Sequence, residues 1–167
     1  MSDPASSELG GYGATCCGHD AAAATLTGEN MANEDTSLVG RRILLLEDEY
    51  IIASEMEAWL RGAGAEVEGP WPSADEAVAA INRPGNAVDA GVLDVNLRYG
   101  GTALAVAQRL DSLGVPYLLA TGNTLGIDEP LSKGHPRLEK PVSARVLLKA
   151  VRELLADRVP RQRSTTL

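Results

Sequence analysis

The chain has 167 residues and a mass of 17.5 kDa, the size of one domain with a tail, which excludes a multidomain enzyme. Hydrophobic residues at 44% and charged residues at 23% are ordinary for a globular chain that buries a core, so disorder throughout is excluded too. A formal net charge of -8 and a pI near 4.7 argue against a partner held through overall positive charge, whether nucleic acid or an anionic membrane.

Residues 1–40 are rich in Gly, Ala, Ser, Asn and Asp without apolar periodicity, and are expected to be a flexible N-terminal extension. Met31 offers an alternative start within it. The beginning, Met1 to Gly10, lacks the basic start and apolar stretch of a secretory signal, and no run reaches the roughly 20 apolar residues of a membrane span, so a cytoplasmic protein with no membrane partner is expected. The two cysteines, Cys16 and Cys17, are adjacent, which suits neither a structural disulfide nor a four-ligand zinc site, even with His19 nearby. With aromatics at 4% and no Phe, the core must be aliphatic.

From Arg41 buried apolar runs alternate with amphipathic stretches, the pattern of strands and helices wound into a parallel sheet. Ile43 to Leu46 reads as a strand followed at once by Glu47, Asp48 and Glu49. A helix with Ile52, Met56, Trp59 and Leu60 on one face comes next and closes at Gly62 and Gly64. A weaker strand over Ala65 to Glu68 is expected to end at Pro70 and Pro72. Ser73 and Glu76 form a capping box for a second helix burying Ala74, Ala77, Val78 and Ile81.

Val88 to Leu93 predicts a third strand ending at Asp94, and the helix after it aligns Ala103, Val106, Ala107, Leu110 and Leu113. Pro116 to Ala120 predicts a fourth strand ending at Thr121, and Arg137 to Glu139 a brief fifth ending at Lys140. Between them Gly122, Gly126, Pro130, Gly134 and Pro136 leave room only for a short or irregular fourth helix. The last helix starts at Ser143 and buries Ala144, Leu147, Leu148, Val151, Leu154 and Leu155. A folded domain over 41–155 and an Arg-rich tail over 156–167 are expected, without a further DNA-binding or catalytic domain.

In an open parallel sheet, function gathers at the carboxyl ends of the strands. Those ends hold Glu47, Asp48, Asp94, Thr121 and Lys140. Singly, each has a bland explanation: acids cap helices, threonine suits strands, and lysine is usually solvated. Together they make three carboxylates, a hydroxyl and a cation on one rim. Carboxylates a few ångströms apart repel by about 4 kcal/mol per pair at an effective dielectric near 20, so a divalent cation is implied. All-oxygen ligation suits Mg²⁺, and Asp94 then reads as a nucleophile toward phosphorus, with Lys140 offsetting charge on the transferring group.

The chain resembles the response-regulator receiver domains of two-component signalling. The resemblance rests on Ile43 to Glu49 (ILLLEDE), Leu93-Asp94-Val95-Asn96-Leu97, Ala120-Thr121-Gly122 and Lys140-Pro141, in that order, and covers about residues 41–155. It implies a flavodoxin-like (βα)5 fold, a doubly wound parallel sheet of five strands. By resemblance Asp94 matches the phospho-accepting aspartate, Asp48 the direct Mg²⁺ ligand and Glu47 the neighbouring acid that usually acts through water. Asn96 stands where a backbone carbonyl coordinates the metal, Thr121 matches the switch hydroxyl, Lys140 the paired lysine, and Lys140-Pro141 the family's cis peptide.

The chain departs from the pattern where the family often has an aromatic residue three positions before the lysine; here that is Arg137. Arg98 and Tyr99 replace the proline common after the aspartate motif, and the Thr121 to Lys140 interval is short. These departures concern output more than phosphorylation chemistry. The resemblance implies a stand-alone regulator whose partners are a histidine kinase or histidine phosphotransfer protein, docking near the first helix. A downstream protein or a second copy of the chain would use the face from the fourth strand to the last helix. Two other readings are a phosphorylation-independent adaptor and a haloacid-dehalogenase-type phosphatase. The intact Asp48, Asp94, Thr121 and Lys140 set argues against the first. The second would need an acid two residues after Asp94, where Asn96 stands.

Overall fold

The computed structural model describes residues 36–98, 102–122 and 134–156. The expected extension up to residue 35 with Cys16, Cys17 and His19, the Tyr99 position, the expected irregular helix within 123–133 and the tail from residue 157 lie outside the described residues.

Five parallel strands are formed: β1 (Arg42–Leu46), β2 (Glu66–Trp71), β3 (Ala90–Asp94), β4 (Tyr117–Thr121) and β5 (Arg137–Glu139). Among the described residues four helices accompany them: α1 (Tyr50–Gly62), α2 (Ala74–Ile81), α3 (Leu104–Ser112) and α4 (Ala144–Ala156). The strand order β2-β1-β3-β4-β5 is that of the flavodoxin-like fold, and it reverses direction between β1 and β3. No helix among the described residues is long and apolar enough to cross a membrane.

Both faces of the sheet are covered, which explains why the central strands are continuous apolar runs. With a period of two, Leu44 and Leu46 of β1 join Leu93, Tyr117 and Leu119 in the core under α2 and α3. Ile43 and Leu45 join Ala90, Val92, Leu118 and Ala120 in the core under α1 and α4. Each helix contributes the stripe its spacing dictates: Met56 and Leu60 from α1, Ala77 and Ile81 from α2, Val106 and Leu110 from α3, Leu147, Val151 and Leu155 from α4. Ser73 caps α2 as its sequence predicts, accepting from the Glu76 amide at 3.4 Å while its hydroxyl donates to the Glu76 carboxylate at 2.9 Å.

Several boundaries differ from expectation: β3 starts at Ala90 rather than Val88, and β4 at Tyr117 rather than Pro116. Packing begins before Arg41, because Leu38 is fully buried and its amide donates to the Ala63 carbonyl at 2.9 Å. Strand β2 runs past Pro70 to Trp71. Here Leu44 faces Glu68 but Leu46 faces Trp71, so Gly69 and Pro70 sit in a bulge on an edge strand, where a missing amide disrupts little. The bulge lets the Trp71 carbonyl accept from the Glu47 amide at 3.0 Å, which pins the backbone of the first acid after β1.

Gly69 is required at that bulge. Its φ is +114°, and an added Cβ would lie 2.6 Å from the Leu45 carbonyl oxygen. Gly69→Ala is expected to cost about 1–3 kcal/mol, as for a side chain forced into a sparsely allowed backbone region. Urea unfolding of the variant measures this; a loss below about 0.5 kcal/mol would contradict it.

Candidate functional site

The carboxyl ends of β1 and β3 flank the point where strand order reverses, and there the chain leaves each strand on an acid. Glu47 and Asp94 are 2% and 4% exposed, and one carboxylate oxygen from each of Glu47, Asp48 and Asp94 lies within 4.8 Å of the others. The cation arrives from the far side of the sheet. Lys140 follows β5, two strand spacings or about 10 Å from β3, and only a long side chain crosses the top of β4. Its Nζ donates to Glu47 Oε2 at 2.6 Å and to Asp94 Oδ2 at 2.8 Å.

The backbone fixes these groups. The Lys140 amide donates to the Thr121 carbonyl at 2.8 Å, so the lysine and the threonine are tied at the end of the β4–β5 ladder. The Asn96 amide donates to Asp94 Oδ1 at 3.0 Å and the Glu49 amide to Glu47 Oε1 at 3.2 Å. Each buried carboxylate therefore accepts from one amide and from the shared ammonium. Thr121 is 1% exposed, one position beyond Ala120, which pairs with Asp94. The structure thus brings Glu47, Asp48, Asp94, Thr121 and Lys140 to one rim, with Asn96 tied to Asp94. The Lys140-Pro141 peptide is cis.

Burial, the largest influence, pushes the Glu47 carboxyl above the usual carboxylate range; the Asp94 charge adds to this and the Lys140 hydrogen bond opposes it. Burial alone would lower the Lys140 ammonium, but its hydrogen bonds to Asp94 and Glu47 and their charges outweigh that and raise it. An acid cluster with one shared cation still carries excess negative charge. Three carboxylates in this arrangement are a donor set that a hard divalent cation can use.

Two features escaped the sequence reading. Glu49 joins the rim: its Oε2 accepts from Arg98 Nη2 at 2.5 Å, while the Arg98 amide donates to Asp48 Oδ2 at 2.7 Å. The only signal was the run of three acids after β1. At the opposite end of the sheet, Tyr117 and His135 stack with ring centroids 4.0 Å apart, and the Tyr117 hydroxyl lies 2.9 Å from His135 Nε2. Burial, with the Asp111 charge beside it, pushes the Tyr117 hydroxyl well above its ordinary value. Arg137 is exposed on β5.

No protein-family model matches the chain, and no curated protein matches it either. Solved structures do. SdrG from Sphingomonas melonis Fr1 is 32% identical, covering 71% of this chain and 98% of its own, with a TM-score of 0.60. A putative response regulator from Chloroflexus aurantiacus J-10-fl is 28% identical over 70% and 98% of the two chains, with a TM-score of 0.60. A response regulator receiver domain protein (CheY-like) from Methanospirillum hungatei JF-1 is 25% identical over 70% and 94%, with a TM-score of 0.61. With the strand order and the acid rim, these likenesses place the chain: it belongs to the response-regulator receiver domains.

Lys140→Met tests the electrostatics. The substitution removes the hydrogen bond that favours charged Glu47 and leaves burial and Asp94, both of which favour the protonated form. A carboxyl whose folded pKa is raised adds stability below its unfolded value and withdraws it as pH rises through the folded value. The variant is therefore expected to lose about 3 kcal/mol near pH 7 and to recover much of it toward about pH 4. Urea unfolding across pH reads this directly; a loss independent of pH would contradict it.

Proposed function

We propose that the chain is a single-domain response regulator that accepts a phosphoryl group on Asp94 from a phosphohistidine of a histidine kinase or histidine phosphotransfer protein. An Asp94 carboxylate oxygen forms the new bond to phosphorus, the phosphorus–nitrogen bond breaks, and the imidazole leaves with the electron pair. The observation that carries this reading is the Lys140 ammonium shared between Glu47 and Asp94 beside a third carboxylate at the strand-order switch. In that reading Asp94 is held in position by the Asn96 amide and Lys140, and Lys140 offsets negative charge on the arriving group. Thr121, buried at the end of β4, supplies a hydroxyl as the switch residue. Glu47, Asp48, Asp94 and the Asn96 backbone carbonyl are the groups proposed to hold Mg²⁺, which when bound supplies charge neutralisation on the transferring phosphoryl group.

SdrG from Pseudomonas melonis Fr1, 32% identical over 68% of this chain and 95% of its own, has a solution structure in a BeF3-activated conformation. The likeness supports the use of the same probe here. Acetyl phosphate with Mg²⁺ is expected to add one phosphoryl group to the wild-type protein and none to Asp94→Asn, seen by intact mass. Removing Mg²⁺ with a chelator is expected to cut the rate by at least about tenfold, the scale of one lost charge-stabilising contact. Equal labelling of the wild type and the Asp94→Asn variant would overturn the assignment of Asp94.

A further inference from the structure

Four residues beyond Asp94, Arg98 makes two contacts with different consequences. Its amide donates to Asp48 Oδ2 at 2.7 Å, which engages one oxygen of a carboxylate whose group also reaches the acid cluster. Its guanidinium donates to Glu49 Oε2 at 2.5 Å, with side-chain exposures of 63% and 41%. The first contact fixes the backbone of residue 98 beside the rim. The second is a solvent-facing ion pair of the weak, exchangeable kind.

Glu49 is also the N-cap residue of α1, yet its side chain makes no capping hydrogen bond, and its carboxylate is turned to Arg98 instead. The two residues that follow, Tyr50 and Ile51, are 83% and 68% exposed, an apolar pair on the first turn of α1. Beyond the amide bond to Asp48, the Arg98 side chain therefore links the segment after Asp94 to the N-cap of α1 through one exposed ion pair.

We propose that Arg98 is a positioning residue that reports the state of Asp94 to α1: when a phosphoryl group stands on Asp94, the guanidinium leaves Glu49 for the phosphoryl oxygens. This rests on the reading of Asp94 as the phosphoacceptor. A phosphoryl group brings roughly 1.5 to 2 negative charges and three acceptor oxygens. A guanidinium meets such oxygens in a two-pronged, charge-assisted geometry that outcompetes one exposed carboxylate contact. Lys140 is already shared by two buried carboxylates and its side chain is only 15% exposed, whereas the Arg98 side chain is 63% exposed and exchanges partners more readily. The exchange frees the Glu49 carboxylate at the first turn of α1, where the helix dipole favours it, and alters the surroundings of Tyr50 and Ile51. It also gives the chain a phosphorylation-responsive cation, with Arg137 standing where the family often has an aromatic.

The test uses the full chain with beryllofluoride at saturating Mg²⁺, fluorine-19 NMR for the adduct and amide hydrogen exchange for residues 50–53. In the wild type the adduct is expected to change exchange over 50–53 roughly two- to fivefold, the scale of one exposed ion pair. In Arg98→Ala those amides are expected to start at the shifted value and not respond, with beryllofluoride bound about tenfold more weakly. Glu49→Gln is expected to bind it about two- to threefold more tightly, since the competitor is gone. Opposite signs for the two partners of one ion pair are what exchange requires; weakening in both variants would indicate a merely structural contact and overturn the proposal. A wild-type response at residues 50–53 in Arg98→Ala would overturn it as well. Absence of any adduct in the wild type would overturn the reading of Asp94, and the exchange with it.

Discussion

The ammonium of Lys140, within 2.8 Å of two nearly buried carboxylates, is the contact on which the arrangement of the rim depends. Without it, burial would push Glu47 further toward its neutral form, and the acid rim would lose negative charge. The sheet exists, from this viewpoint, to deliver those groups. The order β2-β1-β3-β4-β5 sets β1 and β3 side by side, so Glu47 and Asp94, 47 positions apart, meet as neighbours. The lysine crosses from β5, and its backbone is tied to Thr121 so that the threonine and the ammonium share one platform.

The parts of this that the sequence disclosed are those governed by local rules. Buried parallel strands must be apolar on both faces, so ILLL in β1 and YLLA in β4 announce themselves, and the acids and threonine that follow mark the strand ends. The capping box at Ser73 and the helical stripes are local in the same sense. What stayed hidden depends on distant partners. The extension of β2 through Pro70 requires knowing that β2 is an edge strand and that its register slips opposite β1. Leu38 looks like an isolated leucine in a polar stretch until the turn over Thr36–Arg41 carries it against the core.

The same distinction separates the rim from its surroundings. Glu47, Asp48, Asp94, Thr121 and Lys140, each ordinary alone, were legible because together and in a fixed order they put three carboxylates, a hydroxyl and a cation at the carboxyl ends of strands in one parallel sheet. Glu49 was not, because an acid at the start of a helix is explained by the helix dipole alone. Only the fold shows that it turns toward Arg98. The pairing of Tyr117 with His135 and Asp111 is equally non-local, joining the end of α3, the start of β4 and a residue two positions before β5 at the end of the sheet away from the acids.

The central claim is that these carboxylates form one cation site at the switch point between β1 and β3. Substoichiometric Mn²⁺ added to isotopically labelled protein tests it most directly, since a paramagnetic ion broadens amide signals steeply with proximity. The account requires selective loss of the signals around Glu47 to Glu49 and Asp94 to Asn96, reversed by excess Mg²⁺. Broadening centred elsewhere, or spread evenly over the acidic surface, would contradict it.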